Sequence, residues 1–208
     1  MELFNMSQLG FEFSGKPEEI KEQPKPSKRI VVFDLETQKG ADEVGGWNNT
    51  HLMRVAIGVA YDFTDDTYHV YRDEDVPNLL ALLKSADLVI GFNSRKFDYG
   101  VLKGYTDEPL EKTLATFDIL EEVQNRLNFR LKLDNIAMNT LGVSKSADGL
   151  QSLQWFKEGK LDLISDYCKQ DVKVTRDVYI HGVNEGHLFY SDKMGRKIKF
   201  DVKFPSPE

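Results

Sequence analysis

The run Ile30-Val31-Val32-Phe33-Asp34-Leu35-Glu36-Thr37 sets two carboxylates two residues apart in otherwise apolar sequence. Strand side chains alternate between faces, so Asp34 and Glu36 continue the row begun by Ile30 and Val32, while Val31, Phe33 and Leu35 fill the other. Two like charges side by side on a core strand repel each other and lose hydration. One of them must take up a proton unless a cation neutralises the pair, so the strand predicts a metal ion. The alternative is a strand that stops at Phe33, with both acids in a solvated turn.

The chain has 208 residues, of which 40% are hydrophobic. That suits one domain of ordinary size with appended pieces. No apolar stretch approaches the roughly 18 residues needed to cross a bilayer. The start, with Glu2 and no continuous apolar core, does not read as a signal peptide. Cys168 is the single cysteine and cannot form an internal disulfide. The expectation is a soluble protein of the reducing cytoplasm, with no membrane partner. The net charge of -7 argues against bulk electrostatic gripping of nucleic acid, although bound cations and local basic patches leave that route open.

Residues 1 to 28 read as a flexible tail and linker, ending in the charged, proline-bearing stretch Glu22-Gln23-Pro24-Lys25-Pro26-Ser27-Lys28. The folded domain is expected over 29 to 187. It opens with strands at 29 to 37, 52 to 63 and 67 to 72, an antiparallel meander. A helix at 76 to 85 leads to an apolar strand at 87 to 93, a helix from Lys96 and a short strand near 113 to 118, which signals a parallel continuation. Helices follow at 119 to 128, 133 to 141, 150 to 157 and 161 to 185. Residues 188 to 208 read as a C-terminal β-hairpin extension with its turn at Asp192-Lys193-Met194-Gly195.

Two further groups carry chemistry. The segment Tyr167-Cys168-Lys169-Gln170-Asp171 places a tyrosine and an aspartate on one helical face. The segment Gly91-Phe92-Asn93-Ser94-Arg95-Lys96-Phe97-Asp98 adds a fourth carboxylate where a helix begins. Taken singly, Asp171 reads equally as a partly solvated acid, Asp98 as a charge at a positive helix end, and Asn93 as a turn residue. Taken together, Asp34-x-Glu36, Asn93-x-x-x-Phe97-Asp98 and Tyr167-x-x-x-Asp171, in this order and over residues 29 to 182, resemble the three motifs of the DEDD, or DnaQ-like, 3′-5′ exonucleases.

That resemblance implies a ribonuclease H-like three-layer α/β/α fold with a mixed five-stranded sheet in the order 3-2-1-4-5. It implies that Asp34, Glu36, Asp98 and Asp171 bind two divalent metal ions, Mg²⁺ or Mn²⁺, for phosphodiester hydrolysis at single-stranded DNA or RNA 3′ ends. The histidine branch of the superfamily carries His five residues before the last aspartate, where this chain has Asp166. Tyr167 instead matches the tyrosine, or DEDDy, branch. With an ordinary pKa of about 10, tyrosine is a poor base at neutral pH and is better suited to orient water.

Leu35, Thr37 and Asn93 are the substrate contacts that the resemblance implies. Core packing is the alternative for Leu35. Trp47, between flexible residues of the loop 38 to 50, either stacks on a base or folds back on the domain. Arg95, Lys96, Lys103, Arg126, Arg130 and Lys132 offer charges to backbone phosphates. Residues 8 to 13, Gln8-Leu9-Gly10-Phe11-Glu12-Phe13, resemble peptides that dock on bacterial sliding clamps. Two other functions remain at this point: a ribonuclease H-type endonuclease, and a non-catalytic nucleic-acid-binding or interaction module of the same fold.

Overall fold

Strand β1 (Ile30–Thr37) lies at the centre of a five-stranded mixed sheet in a computed structural model that describes residues 28–143 and 149–206. The clamp-like peptide at 8 to 13 and most of the expected tail lie outside the described residues. On one side β1 pairs antiparallel with β2 (Val55–Asp62), which pairs antiparallel with β3 (Thr67–Arg72). On the other it pairs parallel with β4 (Leu88–Gly91), which pairs parallel with β5 (Thr116–Asp118). The order β3-β2-β1-β4-β5 is the one the motifs imply.

Helices cover both faces. Val31, Phe33 and Leu35 of β1 pack under α1 (Val76–Ser85), α2 (Asp98–Leu102) and Leu110 of α3 (Leu110–Thr113). Ile30 and Val32 face α4 (Ile119–Leu127), α5 (Leu133–Leu141) and the long α7 (Leu161–Glu185), which follows α6 (Gly149–Lys157). Helix α7 buries Ile164, Cys168, Val172, Thr175, Val178 and Tyr179, a row at helical spacing. Each fully buried aliphatic side chain of this kind contributes about 1.5–3 kcal/mol. The row lays α7 along β1 and β2, so the face that carries Asp34 and Glu36 is also the one that α7 crosses.

The terminal hairpin, β6 (His187–Ser191) and β7 (Lys197–Asp201), turns at Asp192, whose side chain accepts from the Met194 and Arg196 amides. Leu188, Tyr190 and Phe200 reach the α5/α7 core. Asn135 and Thr140 of α5 fasten the hairpin through hydrogen bonds to the backbone of Ser191 and Phe189.

Boundaries differ from the sequence reading where the backbone turns left-handed. Strand β2 starts at Val55, not 52, because Arg54 has φ 60 and the preceding residues Trp47–Leu52 coil into a 3-10 turn. Strand β4 ends at Gly91 and Asn93 has φ 68, so the chain makes a turn before α2 begins at Asp98. Helix α3 occupies ground that the sequence reading assigns partly to a strand, which leaves β5 three residues long.

Candidate active site

Asp34 and Glu36 emerge on one face of β1, and α7 crosses that face to bring Asp171 against them. Ligand oxygens of Asp34, Glu36 and Asp171 all lie within 4.8 Å of one another. Asp171 is buried, while Asp34 and Glu36 keep partial exposure. Asp98, the first residue of α2, is buried beside them, and its Oδ1 has no hydrogen-bond partner among the described residues. Burial, then the charge of Asp118, then that of Glu36 hold the Asp98 carboxyl well above the ordinary carboxylate range, against the pull of the Asp98 and Leu35 backbone amides. Such a set fits a divalent cation: all donors are hard oxygens, their charges repel, and the buried Asp98 Oδ1 has no hydrogen-bond donor among the described residues.

Tyr167 stands one helical turn before Asp171, buried, with its ring edge-on to Trp155 of α6 at 6.2 Å between centroids. Cys168 lies beneath the cluster. Its thiol donates to the Asp34 carbonyl at 3.4 Å and faces Asp34 Oδ2 at 3.7 Å. Burial, followed by the neighbouring Asp34, Glu36, Asp171 and Asp98 charges, pushes this thiol up and keeps it protonated. Cys168 therefore serves as a donor under the site rather than as a nucleophile.

The other residues of interest take varied positions. Leu35 is packed in the α1/α2 core on the opposite face of β1. Thr37 is buried and donates to the Lys39 carbonyl at 3.0 Å. Asn93 accepts a hydrogen bond from Arg130 at 2.8 Å. Trp47 is 72% exposed and makes a T-shaped contact with Phe97, the residue before Asp98, at 6.2 Å between ring centroids. Arg95 is held by the Thr116 and Glu111 carbonyls and by Glu121, and Arg126 by Glu122, so both are committed within the fold.

Asp118 is a structural support of the site that the motifs do not disclose. At the end of β5 it caps α4 through the Leu120 amide at 3.0 Å, and its carboxylate also receives the Asn93 amide at 2.8 Å and the Arg95 amide at 3.1 Å. These bonds fix the turn between β4 and α2 and thereby set where Asp98 starts its helix. The sequence signal is the aspartate at a strand-to-helix junction, Phe117-Asp118-Ile119, a good N-cap. Its second task follows only from the β4–β5 pairing, which sets Asp118 beside Gly91. Trp155 had no signal beyond its place on a helix.

The family model RNase_H_2, described as RNase_H superfamily, matches residues 31–183. The chain belongs to the RNase_H superfamily. All four acids and Tyr167 lie within the matched RNase_H segment. No curated protein matches the chain. Among solved structures, the family B DNA polymerase from the hyperthermophilic archaeon Pyrobaculum calidifontis aligns with a TM-score of 0.57 and 15% identity, over 76% of this chain. The alignment covers 25% of the polymerase chain, and at that identity the likeness is one of fold.

Proposed function

We propose that this RNase_H-superfamily chain is a cytoplasmic, divalent-metal-dependent 3′-5′ exonuclease of the DEDDy type, acting on single-stranded DNA or RNA ends. The observation that carries the reading is the convergence of Asp34, Glu36 and Asp171 within 4.8 Å, with Asp98 buried alongside. Two divalent cations, Mg²⁺ or Mn²⁺, supply when bound an activated water and a counter-charge for the leaving 3′ oxygen. Asp34, Glu36, Asp98 and Asp171 are the residues that hold them.

The chain's own groups supply position. Tyr167 offers a hydroxyl one turn from Asp171, placed to orient the attacking water, while Trp155 braces its ring. The Cys168 thiol ties the Asp34 backbone from below and lies 3.7 Å from its carboxylate. Asn93 and Arg130, bonded to each other, offer an amide and a guanidinium to the terminal nucleotide. Trp47, 72% exposed, offers its indole for base stacking. Thr37 and Leu35 flank the 3′ nucleotide through their backbone, since both side chains are committed to the fold.

The test incubates the protein with 5′-labelled single-stranded DNA and RNA, with Mg²⁺, Mn²⁺ or EDTA, beside Asp34→Ala. A ladder that shortens from the 3′ end, requires metal and is absent in the variant supports the reading. Internal cuts would replace it with an endonuclease, and binding without cleavage with a non-catalytic module.

A further inference from the structure

An open basin of about 710 Å³ lies beside the catalytic strand, lined by Lys39, Glu43, Val44, His51, Leu52, Arg54, Lys103 and Gly104. Two routes tie it to the acids. Lys39 is three residues beyond Glu36, at most about 10 Å along extended chain. Lys103 is the residue that closes α2, whose first residue is Asp98, and five residues of helix rise about 7.5 Å. The basin is thus a neighbour of the acid cluster from both directions.

Its cationic lining is built rather than incidental. Arg54 is fixed with its guanidinium 4.2 Å over the Tyr105 ring and one nitrogen 2.5 Å from Asp73, which leaves further N–H donors of the planar group for another acceptor. Lys103 has only a loose, exposed contact with Glu111 at 3.6 Å. Glu43, the one acid of the lining, is occupied by Lys157 at 3.1 Å and by the Gly40 amide. The 3-10 turn that supplies His51 is docked tightly on α2: a Cβ at residue 104 would stand 2.3 Å from the His51 carbonyl oxygen, and one at residue 100 would stand 2.4 Å from Thr50 Oγ1. Glycine at both positions lets the turn sit close against α2, so that His51 and Gly104 line the basin together. On a chain of net charge -7, the basin gathers three basic side chains against one lining acid, which is itself paired with Lys157.

We infer that the basin lined by Lys39, His51, Arg54 and Lys103 binds the phosphodiester backbone of a single strand within a few nucleotides of the carboxylate cluster. This rests on the nuclease reading of that cluster. Lys39 and Lys103 act as mobile point charges, and Arg54 is the preorganised donor. The same 3-10 turn presents Trp47 at its start and His51 near its end, so one element offers a stacking face and a phosphate contact.

The experiment measures binding in EDTA, where cleavage is silent, using a 5′-fluorescein twelve-nucleotide oligothymidylate and fluorescence anisotropy over a salt series. The double variant Lys39→Gln/Lys103→Gln is compared with Lys199→Gln/Lys203→Gln, an equal charge loss on and just beyond the hairpin. Both pairs are exposed, so folding is unaffected. The expected result is an affinity loss of roughly tenfold at low salt for the basin variant, with its salt slope reduced by about 1.4, or ~0.7 per lost phosphate contact. The hairpin variant keeps the wild-type slope. Equal behaviour of the two variants, or no binding by the wild type, overturns the basin. Binding that depends on the basin in a protein that never cleaves would overturn the nuclease reading and leave the basin standing.

Discussion

Asp118 offers the sharpest test of how the site is held. Its Oδ1 receives the Asn93 and Leu120 amides, and its Oδ2 receives the Arg95 amide. Replacement by alanine removes all three. The helix cap is worth about 1 kcal/mol, and each loop bond to the charged acceptor about 1.5–3 kcal/mol before water takes over part of it. The expected loss is therefore about 4 kcal/mol, which at ~2–4 °C per kcal/mol lowers the Tm by about 8–16 °C. Asparagine is different. With its oxygen in place of Oδ1 it keeps two bonds and turns an NH₂ group toward the Arg95 amide, donor against donor, so the expected loss is only about 1.5 kcal/mol. Because the freed turn carries Asp98, kcat is expected to fall about 10²-fold for Asp118→Ala, with KM little changed. Thermal melts and single-strand cleavage kinetics on both variants decide the matter. Equal destabilisation by Ala and Asn would refute the bond-by-bond reasoning, and full activity in a destabilised Asp118→Ala would refute the link to Asp98.

Other outcomes follow from the same geometry. Asp34→Ala is expected to fold normally, to cleave no better than the EDTA control, and to lose the Tm rise that Mn²⁺ gives the wild type, as differential scanning fluorimetry would show. Tyr167→Phe keeps the ring contact with Trp155 and is expected to lose about 10²-fold in kcat, the usual cost of one positioned hydrogen bond; loss to the level of Asp34→Ala would mean that the hydroxyl does more than orient water. In metal-free buffer the raised Asp98 carboxyl destabilises the folded chain as pH climbs above the ordinary value of 3.8, because the folded state holds a proton that the unfolded state has released. Asp98→Asn removes that penalty, so its Tm advantage over wild type should be absent at low pH and grow as pH rises; parallel Tm-against-pH curves would contradict it.

The legible parts of this molecule were those set by short-range periodicity. Alternation along β1 gave the shared face of Asp34 and Glu36, because a strand has no other way to place residues two apart. Helical spacing gave Tyr167 and Asp171 one face of α7, and the alternation of strands and helices gave the parallel continuation of the sheet, while its full order came from the family resemblance. What escaped were contacts decided by which elements meet. Asp118 reads as a cap until β5 is placed beside β4. Cys168, counted for its redox state, became a donor to Asp34 only when α7 crossed β1. The loop after β1 read as flexible, yet it coils into 3-10 turns pinned by Asn49 to the Val44 carbonyl. Glycine and asparagine mark where a chain can turn, but not the shape that results.

The contact between Cys168 and Asp34 spans 134 positions of the chain. During synthesis, the two acids of β1 emerge more than a hundred residues before α7 supplies Asp171 and the thiol beneath them. On the nuclease reading proposed above, a chain truncated before α7 lacks Asp171 and is expected to leave nucleic acid intact.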